Sequence, residues 1–247
     1  MSESYVEESR LTLAEASLGP LLSGGAWHPS LPSGVKPRQI GDDLWSSASD
    51  KDQLDDRPLY WQRLALSRSL RELGAGSSDL LEFELASRGM LGNQFSAGAT
   101  YRVLVTGFDP FHLDDHIEQG NPSGVVALQH QHKQIALGAE RAEIRSMIFP
   151  VRYKDFDDFL VERVLETFTD RVDMVITVSM GRTGFDLERF PGRRRSVSTP
   201  DNVRQAGGGS AEKPFIPPHL KGPEFIEFSL PVAEMKKCTG DFPVNDN

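Results

Sequence analysis

The chain has 247 residues, of which 38% are hydrophobic and 26% are charged, and its formal net charge is −9 at pH 7. This composition is typical of a globular protein with a sizeable core, and an acidic chain without a basic arm is not expected to bind nucleic acid. A single cysteine leaves no internal disulfide, and no apolar stretch reaches the length of a membrane span, so we expect a cytoplasmic protein without a membrane partner.

Residues 1–99 are predicted to form a helical and irregular N-terminal extension. Near its start, the sequence Thr12-Leu-Ala-Glu15 has the form of a capping box and predicts a short helix. Residues 18–57 are rich in Gly, Pro, Ser and Asp, which predicts irregular structure there.

Two further helices are predicted before the extension ends. Asp56 and Pro58 favour the start of a helix that runs to about Leu73, and a third helix is predicted from Ser78 to about Ala86. Each has an apolar stripe that needs a partner surface. Because so few helices close a core poorly alone, we interpret them as packed on the following domain rather than as an independent binding module.

In residues 100–247 the pattern changes to alternating strands and helices. This order predicts right-handed crossovers and a mostly parallel sheet. The predicted strands are Val103–Thr106, Ile144–Val151 and Val172–Ser179, the last of them central because it is almost wholly apolar. The predicted helices run from a cap at Asn121 to about Leu137 and over Tyr153–Phe168.

After residue 180 the regularity declines and glycine-rich loops follow. Short strands are predicted near Phe185–Glu188 and Phe225–Leu230, and a last helix from Pro231. Loops at the carboxyl edge of a parallel sheet are the usual place for a ligand site, so these loops are where we expect chemistry.

Two aromatic rings follow the first predicted strand of this domain. Phe108 and Phe111 lie on the loop directly after it, separated by Pro110. They could wall a small apolar pocket, or they could simply fill the top of the core, which is the commoner role of aromatic side chains. The glycines that a nucleotide-binding loop requires are absent from this loop, so no cofactor is expected.

Other polar residues have equally open interpretations. Glu188 could orient a histidine for acid–base chemistry, although a Glu-Arg pair is more often a surface ion pair. The basic run around Arg193 is interpreted as a solvated loop that offsets neighbouring acids, and Cys238 as a bystander thiol. His130 and His132 lack metal-ligand spacing on a helix, and no metal site is expected.

Residues 101–247 contain a series of short motifs that together resemble the pyroglutamyl peptidase I family of cysteine peptidases. The motifs occur in the family's order: Val105-Thr-Gly-Phe-Asp-Pro-Phe111, Asn121-Pro-Ser123, Phe149-Pro-Val151, the strand Asp173–Ser179, Glu188-Arg189, Pro200-Asp-Asn202 and Leu230-Pro231.

The resemblance implies a three-layer α/β/α sandwich with a mostly parallel mixed sheet, and an enzyme that removes an N-terminal pyroglutamyl residue from peptides or small amides. It also implies a Glu-Cys-His triad in which the thiolate attacks the carbonyl and the histidine moves the proton. Glu188 would be the residue that orients the histidine. Phe108 and Phe111 would line the pocket for the pyrrolidone ring, and Asn121 would fix the neighbouring loop.

The resemblance further implies that the family's nucleophile and histidine have no counterpart before Asn247, so residues 100–247 are expected to be an incomplete domain. The chain of 247 residues is therefore expected to be inactive. Apolar sheet surface left uncovered would favour a homo-oligomer. The alternative function is a non-catalytic interaction protein that retains the fold and binds a partner through the pocket or the N-terminal helices.

Overall fold

In the computed structural model, the described residues are 4–19, 31, 34–50, 54–169, 171–181, 184–238 and 240–246. The helices are α1 (Ser4–Glu8), α2 (Leu11–Leu18), α3 (Pro37–Ser49), α4 (Arg57–Glu72), α5 (Ser77–Ala86), α6 (Pro122–His130), α7 (Tyr153–Asp157), α8 (Leu160–Thr169) and α9 (Val232–Met235). The strands are β1 (Tyr101–Phe108), β2 (Gln134–Leu137), β3 (Glu140–Phe149), β4 (Met174–Thr177), β5 (Phe185–Leu187) and β6 (Val244–Asp246). Within these ranges, none of the helices combines the length and apolar character that crossing a lipid bilayer requires.

The main sheet has the strand order β2-β3-β1-β4. Strand β1 is parallel to β3 and to β4, whereas β2 is antiparallel to β3, which confirms the predicted mostly parallel mixed sheet. The apolar segment 172–179 was predicted to be central, and this is wrong for the described sheet. Strand β4 pairs on one side only, and Met174 and Val175 are 40% and 45% exposed.

Helices cover both faces of this sheet, as the predicted three-layer arrangement requires. Side chains of β3 alternate between the faces, because successive residues of a strand point in opposite directions. Ile148 packs with Leu128 of α6 in one core cluster. Its neighbour Met147 packs with Phe168 of α8 in another cluster on the opposite face.

Two predicted helices have different ends in the structure. The helix that starts at Asn121 ends at His130 rather than near Leu137, because Gln134–Leu137 pairs with β3 instead. The helix predicted over 153–168 is divided into α7 and α8. Between them, Phe159 has a φ of 61°, a left-handed conformation that an α-helix cannot contain.

The N-terminal helices pack on the sheet domain through shared cores. Trp45 of α3 and Leu66 of α4 lie in the same cluster as Ile148 of β3. The predicted irregular segment 18–57 contains the 13-residue helix α3, which sequence analysis missed, and residues 20–30 of the segment lie outside the described residues. In the capping-box prediction, Thr12 lies inside α2 rather than before it, because the helix begins at Leu11.

The chain divides into two compact units. Unit 1 consists of residues 1–179 and 201–204, and unit 2 consists of residues 180–200 and 205–247. The extension of residues 1–99 and the main sheet both belong to unit 1, and the boundary predicted at residue 100 stays a prediction.

Unit 2 contains little regular structure among its described residues. Strand β5 is parallel to β6, which confirms the strand predicted near Phe185. The strand predicted over 225–230 is absent from the described residues, where Phe225 forms an isolated bridge with Gly192. The helix predicted from Pro231 is present as the short α9.

Candidate functional site

The carboxyl end of β1 meets the start of α6 in a close backbone contact. A Cβ atom on Gly107 would lie 2.2 Å from the carbonyl oxygen of Ser123, so only glycine allows this approach. The hydroxyl of Ser123 accepts a hydrogen bond from the backbone N–H of Phe108 at 3.0 Å. The first two motifs of the sequence therefore meet at the edge of the sheet where α/β proteins usually bind ligands.

Asn121 anchors the loop between them and is only 1% exposed. Its Oδ1 accepts the N–H of Ser123 at 3.0 Å and so caps α6. Its Nδ2 donates to the carbonyl oxygen of Asp109 at 2.9 Å. Asn121 thus holds its neighbouring loop, while its contact with a substrate stays a prediction.

A second buried amide joins the loops that follow β1 and β3. The Nδ2 of Asn202 donates to the carbonyl oxygen of Pro110 at 2.8 Å, and its backbone N–H donates to that of Val151 at 3.0 Å. The carboxylate of Asp201 accepts the N–H of Tyr153 at 2.8 Å. The motif at 200–202 therefore fixes the two loops at the sheet edge.

The two aromatic residues of the predicted pocket are half-buried. The ring centroid of Phe108 lies 6.0 Å from that of Phe149 and 6.4 Å from that of Phe156. Phe111 contacts the ring of its neighbour His112, with 4.5 Å between centroids. Phe108 is therefore part of an aromatic cluster and keeps some exposed surface, an arrangement that agrees with packing and with a pocket wall alike.

Glu188 lies in unit 2, directly after β5, whereas Phe108, Phe111 and Asn121 lie in unit 1. The side chain of Glu188 is exposed. The adjacent Arg189 forms ion pairs with Glu227 at 2.6 Å and with Asp246 at 3.3 Å. The role of Glu188 in orienting a histidine stays a prediction.

Sequence analysis missed a set of buried charges beside the β1 loop. Asp109, which directly follows β1, is 2% exposed. Its carboxylate accepts a hydrogen bond from Nη2 of Arg63 at 2.5 Å and forms an ion pair with Nη1 of Arg88 at 2.7 Å. We call this set, with the residues to which it connects, the buried charge cluster: Glu7, Tyr60, Arg63, Glu84, Arg88, Asp109 and Arg152.

The rest of the cluster is organised around Arg152, which follows β3. Its guanidinium group pairs with Glu7 at 3.1 Å and with Glu84 at 2.7 Å. Burial raises the pKa of Glu7, and Arg152 opposes this effect only in part. Burial also acts to raise the pKa of Glu84, but the guanidinium groups of Arg88 and Arg152 hold it well below its usual range.

Asp56 lies beside this cluster and next to the start of α6. Both of its carboxylate oxygens accept the backbone N–H of Asn121, at 3.0 and 3.2 Å. A Cβ atom on Gly124 would lie 2.6 Å from Oδ2 of Asp56, so the glycine makes room for the carboxyl group. Burial raises the pKa of Asp56 to about 7, although the hydrogen bond from Asn121 acts to lower it.

Some signal for the buried charges was present in the sequence. Arg63 lies within the apolar stripe predicted for α4, and Asp109 lies between two aromatic residues directly after a strand. A charged residue at such a position needs a partner, because a lone buried charge is very costly. The partners could not be identified from sequence, since they come from distant parts of the chain.

The remaining residues singled out from sequence lie on the surface. Arg194 pairs with Glu224 at 3.0 Å, and Arg193 donates to the carbonyl oxygen of Leu220 at 2.6 Å, which agrees with a solvated basic loop. Cys238 is exposed, with its sulfur 3.7 Å from the carbonyl oxygen of Glu234. Within the described ranges, no group of three or more His, Cys, Asp or Glu residues is arranged to hold a metal ion.

Comparisons with known proteins identify relatives of this chain. Residues 102–220 match the family model described as the C-terminal domain of PA0049. The uncharacterized protein PA0049 of Pseudomonas aeruginosa is 33% identical over 188 residues, which cover 61% of this chain and 34% of that protein. The chain thus spans about a third of the length of this curated relative.

The chain is also similar to solved peptidase structures, as its motifs predict. The pyrrolidone carboxyl peptidase from Thermococcus litoralis is 22% identical with a TM-score of 0.47, and the match covers 60% of this chain and 61% of that one. The pyroglutamyl peptidase I from Bacillus amyloliquefaciens is 25% identical with a TM-score of 0.43, covering 60% and 64% of the two chains. The pyrrolidone carboxyl peptidase from Thermus thermophilus is 20% identical with a TM-score of 0.42, covering 59% and 68%.

Proposed function

We propose that this chain supplies the substrate-positioning part of a cytoplasmic cysteine hydrolase of the pyroglutamyl peptidase kind. The observation that carries the proposal is the fixed loop at the carboxyl edge of the sheet. Asn121 and Asn202 hold this loop from both sides through buried hydrogen bonds, and it bears the two half-buried rings of Phe108 and Phe111. A rigid loop with exposed aromatic surface suits a small, flat, weakly polar group such as a pyrrolidone ring.

In this proposal each predicted residue has a separate role. Phe108 and Phe111 contact the pyrrolidone ring, and Asn121 keeps the loop in place. Glu188 orients the imidazole that takes the proton of a cysteine nucleophile and returns it to the leaving amine. The nucleophile attacks the pyroglutamyl carbonyl, the amine leaves, and water releases pyroglutamate from the thioester.

The 247-residue chain is not expected to carry out these steps alone. Its single cysteine, Cys238, is exposed, and so is the carboxylate of Glu188. An exposed carboxylate is well solvated and gives a histidine little orientation. We therefore expect no release of chromophore from a pyroglutamyl amide above the background rate.

The activity test uses the chain with two variants. Turnover that Glu188→Gln abolishes and Cys238→Ala leaves unchanged would contradict the expected inactivity and the cysteine nucleophile, because Cys238 is the single cysteine, but it would support a catalytic role of Glu188. Turnover that depends on Cys238 would replace the proposed mechanism by one based on that thiol.

The binding test is independent of turnover and uses pyroglutamic acid observed by NMR. Saturable binding that Phe111→Ala weakens about tenfold is expected, because the ring supplies apolar contact worth about 1–2 kcal/mol. Phe242→Ala is the matched control, since Phe242 is 60% exposed in unit 2. Absence of saturable binding, or equal effects of both variants, would refute the pocket.

A second candidate is a non-catalytic interaction protein that retains the fold. The exposed carboxylate of Glu188 favours it, as does the buried charge cluster, which commits polar groups beside the β1 loop to contacts with the N-terminal helices. This candidate predicts that pyroglutamic acid does not bind at all, so the same titration separates the two functions.

A further inference from the structure

A cavity of about 450 Å³ lies in unit 1 at the amino-terminal end of β1. The segment between α5 and β1 forms one side of it, and β1 and the end of α8 form the other. The lining residues are Met90, Leu91, Gly92, Asn93, Gln94, Phe95, Arg102, Thr167, Phe168 and Arg171. This volume is within the range of small-molecule sites.

The cavity combines an apolar wall with two positive charges. Met90 and Phe168 are 3% and 6% exposed and belong to the core cluster against which Phe95 packs. Arg102 and Arg171 are the charged members of the lining, and no acidic residue is among them. An anion with an apolar body matches this combination of surfaces.

The two guanidinium groups are not neutralised by any acid in the described part of the chain. Nε of Arg102 is buried and has no hydrogen-bond partner there. The carboxylate of Asp173, the acid beside it, accepts the backbone N–H of Arg102 at 2.8 Å rather than the side chain. A buried donor without a partner is costly, so this group has an unfilled requirement for an acceptor.

A neighbouring arginine outside the cavity lining is engaged. Arg145, whose guanidinium group lies 5.8 Å from the ring centroid of Phe95, is paired with Glu143. Acids are abundant in this chain, whose net charge is −9, yet within the described residues neither Arg102 nor Arg171 has an acid partner. An anionic ligand would supply the acceptor that Nε of Arg102 lacks among these residues.

We propose that this cavity binds a small carboxylic acid with an aromatic or branched apolar body. The carboxylate is held by Arg102 and Arg171, because the planar guanidinium fork matches carboxylate geometry. The apolar body contacts Phe95 and Phe168. The site is separate from the proposed hydrolase site, since the eight residues of β1 place its two ends about 23 Å apart at about 3.3 Å per residue.

The test is a titration of the full chain with sodium benzoate at constant ionic strength, followed by NMR or calorimetry. Saturable binding is expected, and Arg102→Gln and Arg171→Gln should each weaken it about tenfold, as loss of one charge-assisted contact implies. Arg163→Gln is the matched control, because this exposed arginine of α8 does not line the cavity. Arg171 is itself exposed, so its variant keeps the test decisive if Arg102→Gln does not fold.

Inorganic phosphate and cyclohexanol supply the two comparison arms. Benzoate binding tighter than both supports a site that needs the charge and the apolar body together. Phosphate binding as tight as benzoate would refute the apolar part of the proposal. Non-saturable binding, or an equal loss of affinity in Arg163→Gln, would refute the site.

Discussion

Unit 1 and unit 2 are stabilised by different kinds of interaction. In unit 1, three clusters of buried hydrophobic side chains surround the sheet and the N-terminal helices, and the buried charge cluster lies among them. In unit 2, the buried residues within the described ranges are Gly207 and Pro217. Its two-stranded sheet is too small to be stable by itself.

The contacts of unit 2 are ion pairs and arginine–aromatic contacts at the surface. Arg194 lies 5.1 Å from the ring centroid of Phe225 and also pairs with Glu224, and Arg195 lies 4.7 Å from that of Phe215. Exposed contacts of these kinds contribute about 0–1 kcal/mol each. We therefore expect local opening of unit 1 to require a high free energy, whereas local opening of unit 2, which carries Glu188, should require a low one.

The largest expected effect comes from breaking the buried charge cluster. Asp109→Asn would leave Arg63 without its anion in a desolvated position and Arg88 with Glu84 alone, which costs about 3–5 kcal/mol of unfolding free energy. Urea denaturation measures this loss. Asp115→Asn, at an exposed position of the loop between β1 and α6, is the control and should change stability by less than about 0.5 kcal/mol. A loss below about 1 kcal/mol for Asp109→Asn would mean that the cluster is no stronger than the surface pairs of unit 2.

A second effect, of up to about 4 kcal/mol, concerns Asp56 and pH. Its pKa rises from an ordinary 3.8 to about 7 on folding, because burial favours the neutral form. The folded state therefore binds the extra proton more tightly, and this stabilisation is complete below about pH 4 and is lost as the pH rises through 7. Asp56→Asn removes the titration, so its stability relative to the unmodified chain should increase between pH 4 and pH 8. Urea melts across this range check the slope, and a constant difference would contradict the raised pKa.

The smallest effect is expected in unit 2. Glu227→Gln breaks the ion pair with Arg189 and should change the global unfolding free energy by less than about 0.5 kcal/mol. Hydrogen exchange in the segment around Arg189 should nevertheless become faster. Sodium chloride at 1 M, which screens exposed charges within about 3 Å, should give a similar increase in the unmodified chain and a smaller one in the variant, which keeps the pair between Arg189 and Asp246. A global loss above about 2 kcal/mol would show that unit 2 has a stronger core than its burial indicates.

The sequence predicted the elements that depend on local signals but not those that depend on pairing between distant segments. Local signals located α4 and α6, because Pro58 and Pro122 mark the first turns and Asn121 is a capping residue. Pairing between distant segments was not predictable in this way. Strand β2 forms where a helix was predicted, since Gln134–Leu137 gains backbone partners in β3 that a single-sequence pattern does not show.

The sequence predicted only some of the residues of the candidate site. The motif residues Asn121 and Asn202 were identified, and the structure gives both of them loop-holding hydrogen bonds. The buried charge cluster was missed because its members come from three separate helices and three loops, and opposite charges at such distances in sequence have no common pattern. The exposure of Glu188 agrees with the commoner interpretation of a Glu-Arg pair as a surface feature, and its neighbour Phe190 is itself 49% exposed.

The four residues at positions 201–204 belong to unit 1 although the chain on both sides of them belongs to unit 2. A protein shortened at residue 179 would consequently lose the amide that joins Pro110 to Val151, and the acceptor that Arg10 contacts at 2.8 Å. Dissecting the molecule into independent halves by one cut is therefore not feasible. An isolated version of the larger half would need the tetrapeptide grafted back through a short linker.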